Sequence, residues 1–446
     1  MKKIFELRKA YPRIVYDSFD VRLDGDILSV SYRFIQSDKI VYTPVIKFYG
    51  CLNLTSARIE ILKNIFFNLG MIELISYYKA CCSPLIVINC GGLDEFQKSF
   101  WKKMFFNGLG EFFYRNGIKI NEEDFFNIEC EDDIRFPPDE TVLSESCIIP
   151  VGGGKDSVVT LEILKDTDAI PFILNPIPAS ERSVKTAGYK YFIRAERKID
   201  PVLLEMNRKG FLNGHTPFSA LLAFVSAATA LIHGKKHIVL SNEGSANEGN
   251  AVLGKINVNH QYSKTFEAEC DIRNYFKKYI SKELNYFSIL RPLNELKIAS
   301  IFSGFKEHFR SFRSCNVGGR EDKWCAKCPK CLFTYIILSP FINAKDMKCI
   351  FGSDLYHDTT LEDTFFQLTG LDGIKPFECV GTYEEIRAAV EKVIEISDKT
   401  DLPYLLSQYR QRQGSTDPGK FEKLLKCYDD NNNLEGHFKK VLRSSL

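Results

Sequence analysis

Three glycines followed by Lys-Asp-Ser, Gly152-Gly153-Gly154-Lys155-Asp156-Ser157, are the residues of this sequence best suited to hold a phosphate. Glycine lets backbone N–H groups approach an anion closely, and a helix N-terminus adds unpaired N–H groups and partial positive charge. Lys155 contributes a full positive charge, Ser157 a hydroxyl, and Asp156 a carboxylate able to hold a magnesium ion that bridges phosphates. The flanks supply the elements such a cradle needs. Cys147 to Val151 reads as a buried strand, and Val158, Val159, Leu161, Ile163 and Leu164 follow with helical spacing. A turn that only packs a helix on a sheet would explain the glycines alone, but not Lys-Asp-Ser at the helix start. A Walker A loop is excluded, because Ile149 stands where its first glycine belongs and Asp156 where its Ser/Thr belongs.

A second chemical signal is Cys315, then Cys325, Cys328 and Cys331. Three thiols at two-residue spacings with a fourth ten residues upstream can close a tetrahedral zinc site, and some iron–sulfur clusters use similar spacings. Four thiolates leave no open position, which favours a structural zinc.

Two polar segments lie between these motifs. Lys236 to Ser241 reads as a strand, and Asn242 to Asn250 at its carboxyl end carries Glu243, Glu248 and three asparagines, suited to magnesium or a polar substrate. Next come His260, Tyr262 and Lys264, candidates for acid, base or carboxylate clamp. A solvated turn and a satisfied structural histidine are the plainer readings of these two segments.

The 446 residues suffice for two or three domains. Residues 1–145 read as an α+β domain without assignable chemistry. It has a hairpin around Asp24-Gly25-Asp26, a strand over 40–49, helices over 54–80 and 96–116, and a strand from Leu85. Residues 146–345 alternate strand and helix, with further strands expected at 169–174 and 189–194, and predict a doubly wound parallel sheet, an α/β fold. Phe218 to Ile232 reads as a buried helix, too short to span a membrane. Residues 346–446 read as a helical C-terminal region, with a mobile stretch over 408–420 before a last helix over 421–428. A net charge of +2 provides no field for nucleic acid. Fourteen cysteines without an apolar leader point to a reducing cytoplasm.

The glycine loop resembles the PP-loop of ATP pyrophosphatases, Ser-Gly-Gly-x-Asp-Ser, with Gly152 in place of the first serine. That resemblance implies an adenine nucleotide alpha-hydrolase-like fold and cleavage of ATP to AMP and pyrophosphate. With the four-cysteine motif, it is similar to cyano-deazaguanine synthase over the central domain. A wider resemblance runs through Asn213-Gly-His, Ser241-Asn-Glu, Val258-Asn-His-Gln-Tyr-Ser-Lys, Leu290-Arg-Pro-Leu and Lys375-Pro-Phe-Glu-Cys-Val-Gly. Those stretches look like the MurL family, whose members epimerise the terminal glutamate of UDP-N-acetylmuramoyl-L-alanyl-L-glutamate using ATP and magnesium. The resemblance implies a carboxyl-adenylate whose α-proton is removed and returned on the other face. Candidate proton carriers are Glu243, Glu248, His260, Tyr262 and Lys264, with His215 and Cys379 as outside candidates. Commitment of four thiols to metal argues against a two-thiol mechanism. The alternatives are a PP-loop ligase that amidates or thiolates a carboxylate or base, and a zinc-stapled module that senses ATP.

Overall fold

One mixed sheet organises the computed structural model, which describes residues 2–253, 256–398, 401–413 and 419–446. Its strands are β1 (Arg13–Asp24), β2 (Ile27–Gln36), β3 (Ile40–Tyr42), β4 (Val45–Tyr49), β5 (Leu85–Ile88), β6 (Asn127–Cys130), β7 (Ser144–Pro150), β8 (Ala169–Leu174), β9 (Ile193–Lys198) and β10 (Lys235–Leu240). A separate hairpin, β11 (Ala251–Leu253) and β12 (Ile256–Val258), precedes the remaining sheet strand, β13 (Asn285–Ser288). The strand order is β13-β10-β7-β8-β9-β4-β2-β1-β5-β6, with β3 on β2.

The five strands from β13 to β9 are all parallel. Read across the sheet from β9 to β13 they are third, second, first, fourth and fifth in chain order, so the winding reverses between β7 and β10. A crevice opens beyond the carboxyl ends of strands at such a reversal. The glycine loop follows β7 and the Asn242–Asn250 loop follows β10, which brings both segments to that crevice.

Side-chain alternation puts two cores on opposite faces of this sheet. Ile148, Phe172, Ile238 and Leu240 join a core with helices Ser56–Tyr78 and Phe218–Ile232. Ile149, Ile173 and Val239 join the other, with helices Lys155–Leu164, Glu295–Ser303 and Pro329–Leu338. Helix Phe218–Ile232 is apolar all round because it lies between the sheet and helix Ser56–Tyr78. Among the described residues no helix is long and apolar enough to cross a membrane.

Residues 1–145 share this sheet. Val45–Phe48 of β4 pair antiparallel with Ala195–Lys198 of β9. Arg197 on β9 donates to Glu73 at 2.6 and 3.0 Å and to Ser76 at 2.8 Å, in helix Ser56–Tyr78. The sheet therefore runs through the boundary expected near residue 145.

Several local expectations shift. The helix expected over 96–116 is two, Glu95–Gly108 and Gly110–Asn116. The strand over 40–49 breaks at Pro44, which has no N–H to donate. The strand expected at 189–194 is β9, which begins at Ile193. In the C-terminal region, Gln408–Gln413 belong to helix Tyr404–Gln413, anchored by buried Leu405, Leu406 and Tyr409, so that part is not a loose segment. Residues 414–418 of the expected mobile stretch lie outside the described residues. Helix Lys420–Lys426 is followed by a further one, Gly436–Ser444, whose Phe438 and Leu442 are buried.

Candidate active site

The glycine loop has the conformation its sequence suggests. Gly153 has φ +87°, and a Cβ there would lie 2.7 Å from the Ser180 backbone nitrogen, so only glycine fits. Arg313 N donates to Gly153 O at 2.8 Å. Ser157 Oγ accepts from Gly153 N at 3.2 Å and donates to Gly154 O at 2.9 Å, holding the turn on itself. Gly154 is the N-cap of helix Lys155–Leu164, and no side chain caps that terminus. Its first N–H groups are available to an anion.

Charged groups converge on this terminus. Lys155 is buried and paired with both Asp156 and Glu295. Glu295 opens helix Glu295–Ser303, and its backbone N–H donates to Glu385 Oε1 at 2.7 Å. Carboxylate oxygens of Asp156, Glu243 and Glu295 lie within 4.8 Å of one another. Burial opposes charge on Asp156, yet Lys155, Lys330 and Lys264 hold its carboxyl below the usual range. Burial pushes Glu295 upward against the pull of Lys155, with Asp156 adding to the rise. Clustered oxygen donors suit a hard cation such as magnesium, and the lysines that now neutralise them suit phosphate.

Arg291 fixes two of these positions. Fully buried, it donates to Glu243 O and Lys264 O at 2.7 Å each and to Glu269 Oε2 at 3.1 and 3.0 Å. The asparagines of the Asn242–Asn250 loop also hold backbone. Asn247 Oδ1 accepts from Phe266 N, while Asn250 accepts from His260 N at 2.9 Å and donates to Pro376 O at 2.8 Å.

A second polar group adjoins the first. His260 Nδ1 lies 2.5 Å from Glu111 Oε2, and its ring centroid lies 4.3 Å from that of His215. Glu111 comes from helix Gly110–Asn116, so residues 1–145 contribute directly. Burial opposes charge on His260 and Lys264, and the neighbouring Cys379 favours their charged forms. Burial and the neighbouring His260 hold His215 down at about 4.

The remaining candidates sit elsewhere. Glu248 accepts from Lys375 Nζ at 2.7 Å and Tyr383 N at 3.3 Å, an ion pair at the start of helix Tyr383–Ile396. Tyr262 is buried towards Lys103, Glu267 and Asp271. Glu295, Lys330, Arg291 and Glu111 carried no motif of their own, although Arg291 lies in the Leu290-Arg-Pro-Leu stretch and Lys330 within the cysteine motif.

Cys315, Cys325, Cys328 and Cys331 do come together. Their sulfurs are 4.0 Å apart for Cys315–Cys328, 3.7 Å for Cys325–Cys331 and 3.4 Å for Cys328–Cys331. A tetrahedron with metal–sulfur bonds of about 2.3 Å has edges of roughly 3.8 Å. Backbone N–H groups of Gly318, Cys325 and Cys328 point at the sulfurs, at 3.1–3.4 Å. Such donors stabilise thiolates.

Known proteins resemble this chain over most of its length. The family model described as MurL N-terminal domain matches residues 6–289, and that of the MurL C-terminal domain matches 309–421. Three curated relatives are each named UDP-N-acetyl-alpha-D-muramoyl-L-alanyl-L-glutamate epimerase. The Salinispora tropica protein is 34% identical over 356 residues, covering 78% of this chain and 76% of its own. The Xanthomonas oryzae pv. oryzae protein is 33% identical over 340 residues, covering 72% of each. The Micromonospora protein is 34% identical over 358 residues, covering 78% and 79%. No solved structure matches. On its two matched domains and these relatives, the chain belongs to the MurL family.

Proposed function

We propose that this protein inverts the α-carbon of the terminal L-glutamate in UDP-N-acetylmuramoyl-L-alanyl-L-glutamate, with cleavage of ATP to AMP and pyrophosphate. The relatives' name supplies the substrate. The observation that carries the ATP-dependent route is the convergence of Lys155, Lys264 and Lys330 with Asp156, Glu243 and Glu295 at an uncapped helix N-terminus. We read this as a PP-loop.

The chemistry requires activation. The α-proton of a free glutamate is very weakly acidic, because its loss places a second negative charge beside the carboxylate. Adenylation removes that charge and turns the carbonyl into an electron sink. In this reading the loop N–H groups, Lys155 and Ser157 bind phosphates, and Lys330 and Lys264 balance charge as pyrophosphate leaves. Asp156 and Glu243 would hold magnesium, which would offset charge on the phosphates. Cys315, Cys325, Cys328 and Cys331 would hold a zinc ion that pins the Arg313–Cys331 segment beside the glycine loop.

The test is incubation with the muramoyl dipeptide, ATP and magnesium, followed by chiral analysis of released glutamate and an AMP assay. D-glutamate with AMP is expected. AMP without D-glutamate would move the reading to amide or thio transfer, and neither product would overturn it.

A further inference from the structure

The reaction proposed above takes place at the glutamate, but two phosphates and a uracil lie at the other end of that substrate. Binding of that end needs a cation with unused donors beside a flat apolar wall. Helix Gly110–Asn116 supplies Tyr114 and Arg115, and residues 375–381 pack against them through Phe377. The Tyr114 and Phe377 ring centroids are 5.0 Å apart, and the Arg115 guanidinium lies 5.3 Å from the centroid of Phe377. With Gln367 of helix Glu362–Thr369 these side chains line a cavity of about 290 Å³, near the lower end of the range that small-molecule sites occupy.

The free charge of this cavity belongs to Arg115. Its Nε pairs with Glu111, while its Nη groups make no hydrogen bond among the described residues and the side chain is 55% exposed. The other charged groups on the wall are engaged: Lys375 Nζ donates to Glu248 Oε1 at 2.7 Å, and Glu378 accepts from Asn316 Nδ2. A guanidinium with both Nη groups open matches two phosphate oxygens at once. The cavity also adjoins the reaction site. Glu111 holds Arg115 with one oxygen, and its other oxygen lies 2.5 Å from His260 Nδ1. From Phe377 the chain runs on to Gly381, where a Cβ would lie 3.1 Å from Glu295 Cγ in the charged cluster. Those four residues span at most about 14 Å. The lactyl and alanyl units between the sugar and the glutamate α-carbon reach about 7 Å, and the sugar adds its own width before the phosphates.

We propose that this cavity is the subsite for the UDP end of the muramoyl dipeptide, an assignment that rests on the epimerase reading above. The Arg115 Nη groups bind the diphosphate, and the Phe377 and Tyr114 rings carry the uracil. The Gln367 amide, a donor and an acceptor on one group, meets the imide edge of that base. Lys375, buried and paired with Glu248, braces the segment that bears Phe377.

The test is calorimetric binding of UDP to the full chain, with and without saturating ADP, for the wild type, Arg115→Gln and Phe377→Leu. The wild type should bind UDP whether or not ADP is present. Arg115→Gln should weaken UDP by about 30-fold, and Phe377→Leu by about tenfold. In steady-state assays both variants should raise KM for the muramoyl dipeptide by similar factors and keep KM for ATP within about twofold, which also shows them folded. No UDP binding by the wild type at millimolar concentration, UDP binding that ADP abolishes, or variants that keep the wild-type UDP affinity and dipeptide KM would each overturn the subsite. UDP affinity that falls in both variants while the wild type forms no D-glutamate would keep the subsite and remove the epimerase reading instead.

Discussion

The cluster around Lys155 takes two of its members from a single strand–turn–helix unit, whereas the cluster around Cys379 gathers residues 111, 260, 264, 330 and 379 from separate segments of the chain. The first is dense in charge and largely buried, as suits phosphate. The second sets Glu111 on His260 at 2.5 Å, with the His215 ring beside it and Cys379 nearby. Lys264 faces both. In the proposed reaction the first would activate the carboxyl and the second holds candidates for moving the proton, a division that point substitutions should uncouple.

Asp156→Ala gives the largest expected effect. It removes a carboxylate from the proposed magnesium and phosphate end, and pyrophosphate release and inversion should fall together by about 10³-fold or more. Glu111→Gln should act on the other cluster alone. It leaves adenylation intact and slows inversion by about 10²-fold. In the wild type burial opposes the His260 imidazolium, but its neighbours, Glu111 among them, bring it up to about 9. Rates of α-proton exchange that depend on the imidazolium should therefore fall as the pH rises through that value. Removing the Glu111 anion weakens the imidazolium, so the alkaline limb of that profile should move to lower pH; an unmoved limb would break the link between Glu111 and proton transfer. Gly153→Ala introduces both a left-handed strain and a backbone clash, costing about 1–3 kcal/mol. Thermal denaturation should show it, along with a raised KM for ATP. Tyr262→Phe should change inversion less than about twofold, because that hydroxyl lies away from both clusters; a large loss would return it to the site.

The first cluster was the legible one. A strand, a glycine turn and a helix write themselves into neighbouring residues, and a Cys-x2-Cys-x2-Cys spacing does the same for the sulfur site. Glu295 gave no such sign, since an acidic residue opening a helix looks like any favourable N-terminal charge. Only packing shows that it is buried against Lys155. Glu111 was hidden more deeply, on a helix of residues 1–145 that carried no motif. β9 starts and ends later than its apolar residues indicate because Arg197 looks like surface, yet its charge is answered by buried Glu73. The break between helices Glu95–Gly108 and Gly110–Asn116 has a similar origin. A Cβ on Gly108 would meet Pro217 at 2.6 Å, a contact between residues far apart in sequence that no periodicity encodes.

The antiparallel seam between β4 and β9 has a consequence for how the protein is made. Strand β4 leaves the ribosome about 150 residues before its partner β9, and the Cys379 segment follows nearly 200 residues later still. Glu111 and the glycine loop are thus in place long before the thiol arrives. A nascent chain that ends before residue 375 carries the glycine loop, Glu111 and His260 but not the segment whose backbone Asn250, Gln261 and Lys330 hold, so this part of the molecule is completed only in the last stage of translation.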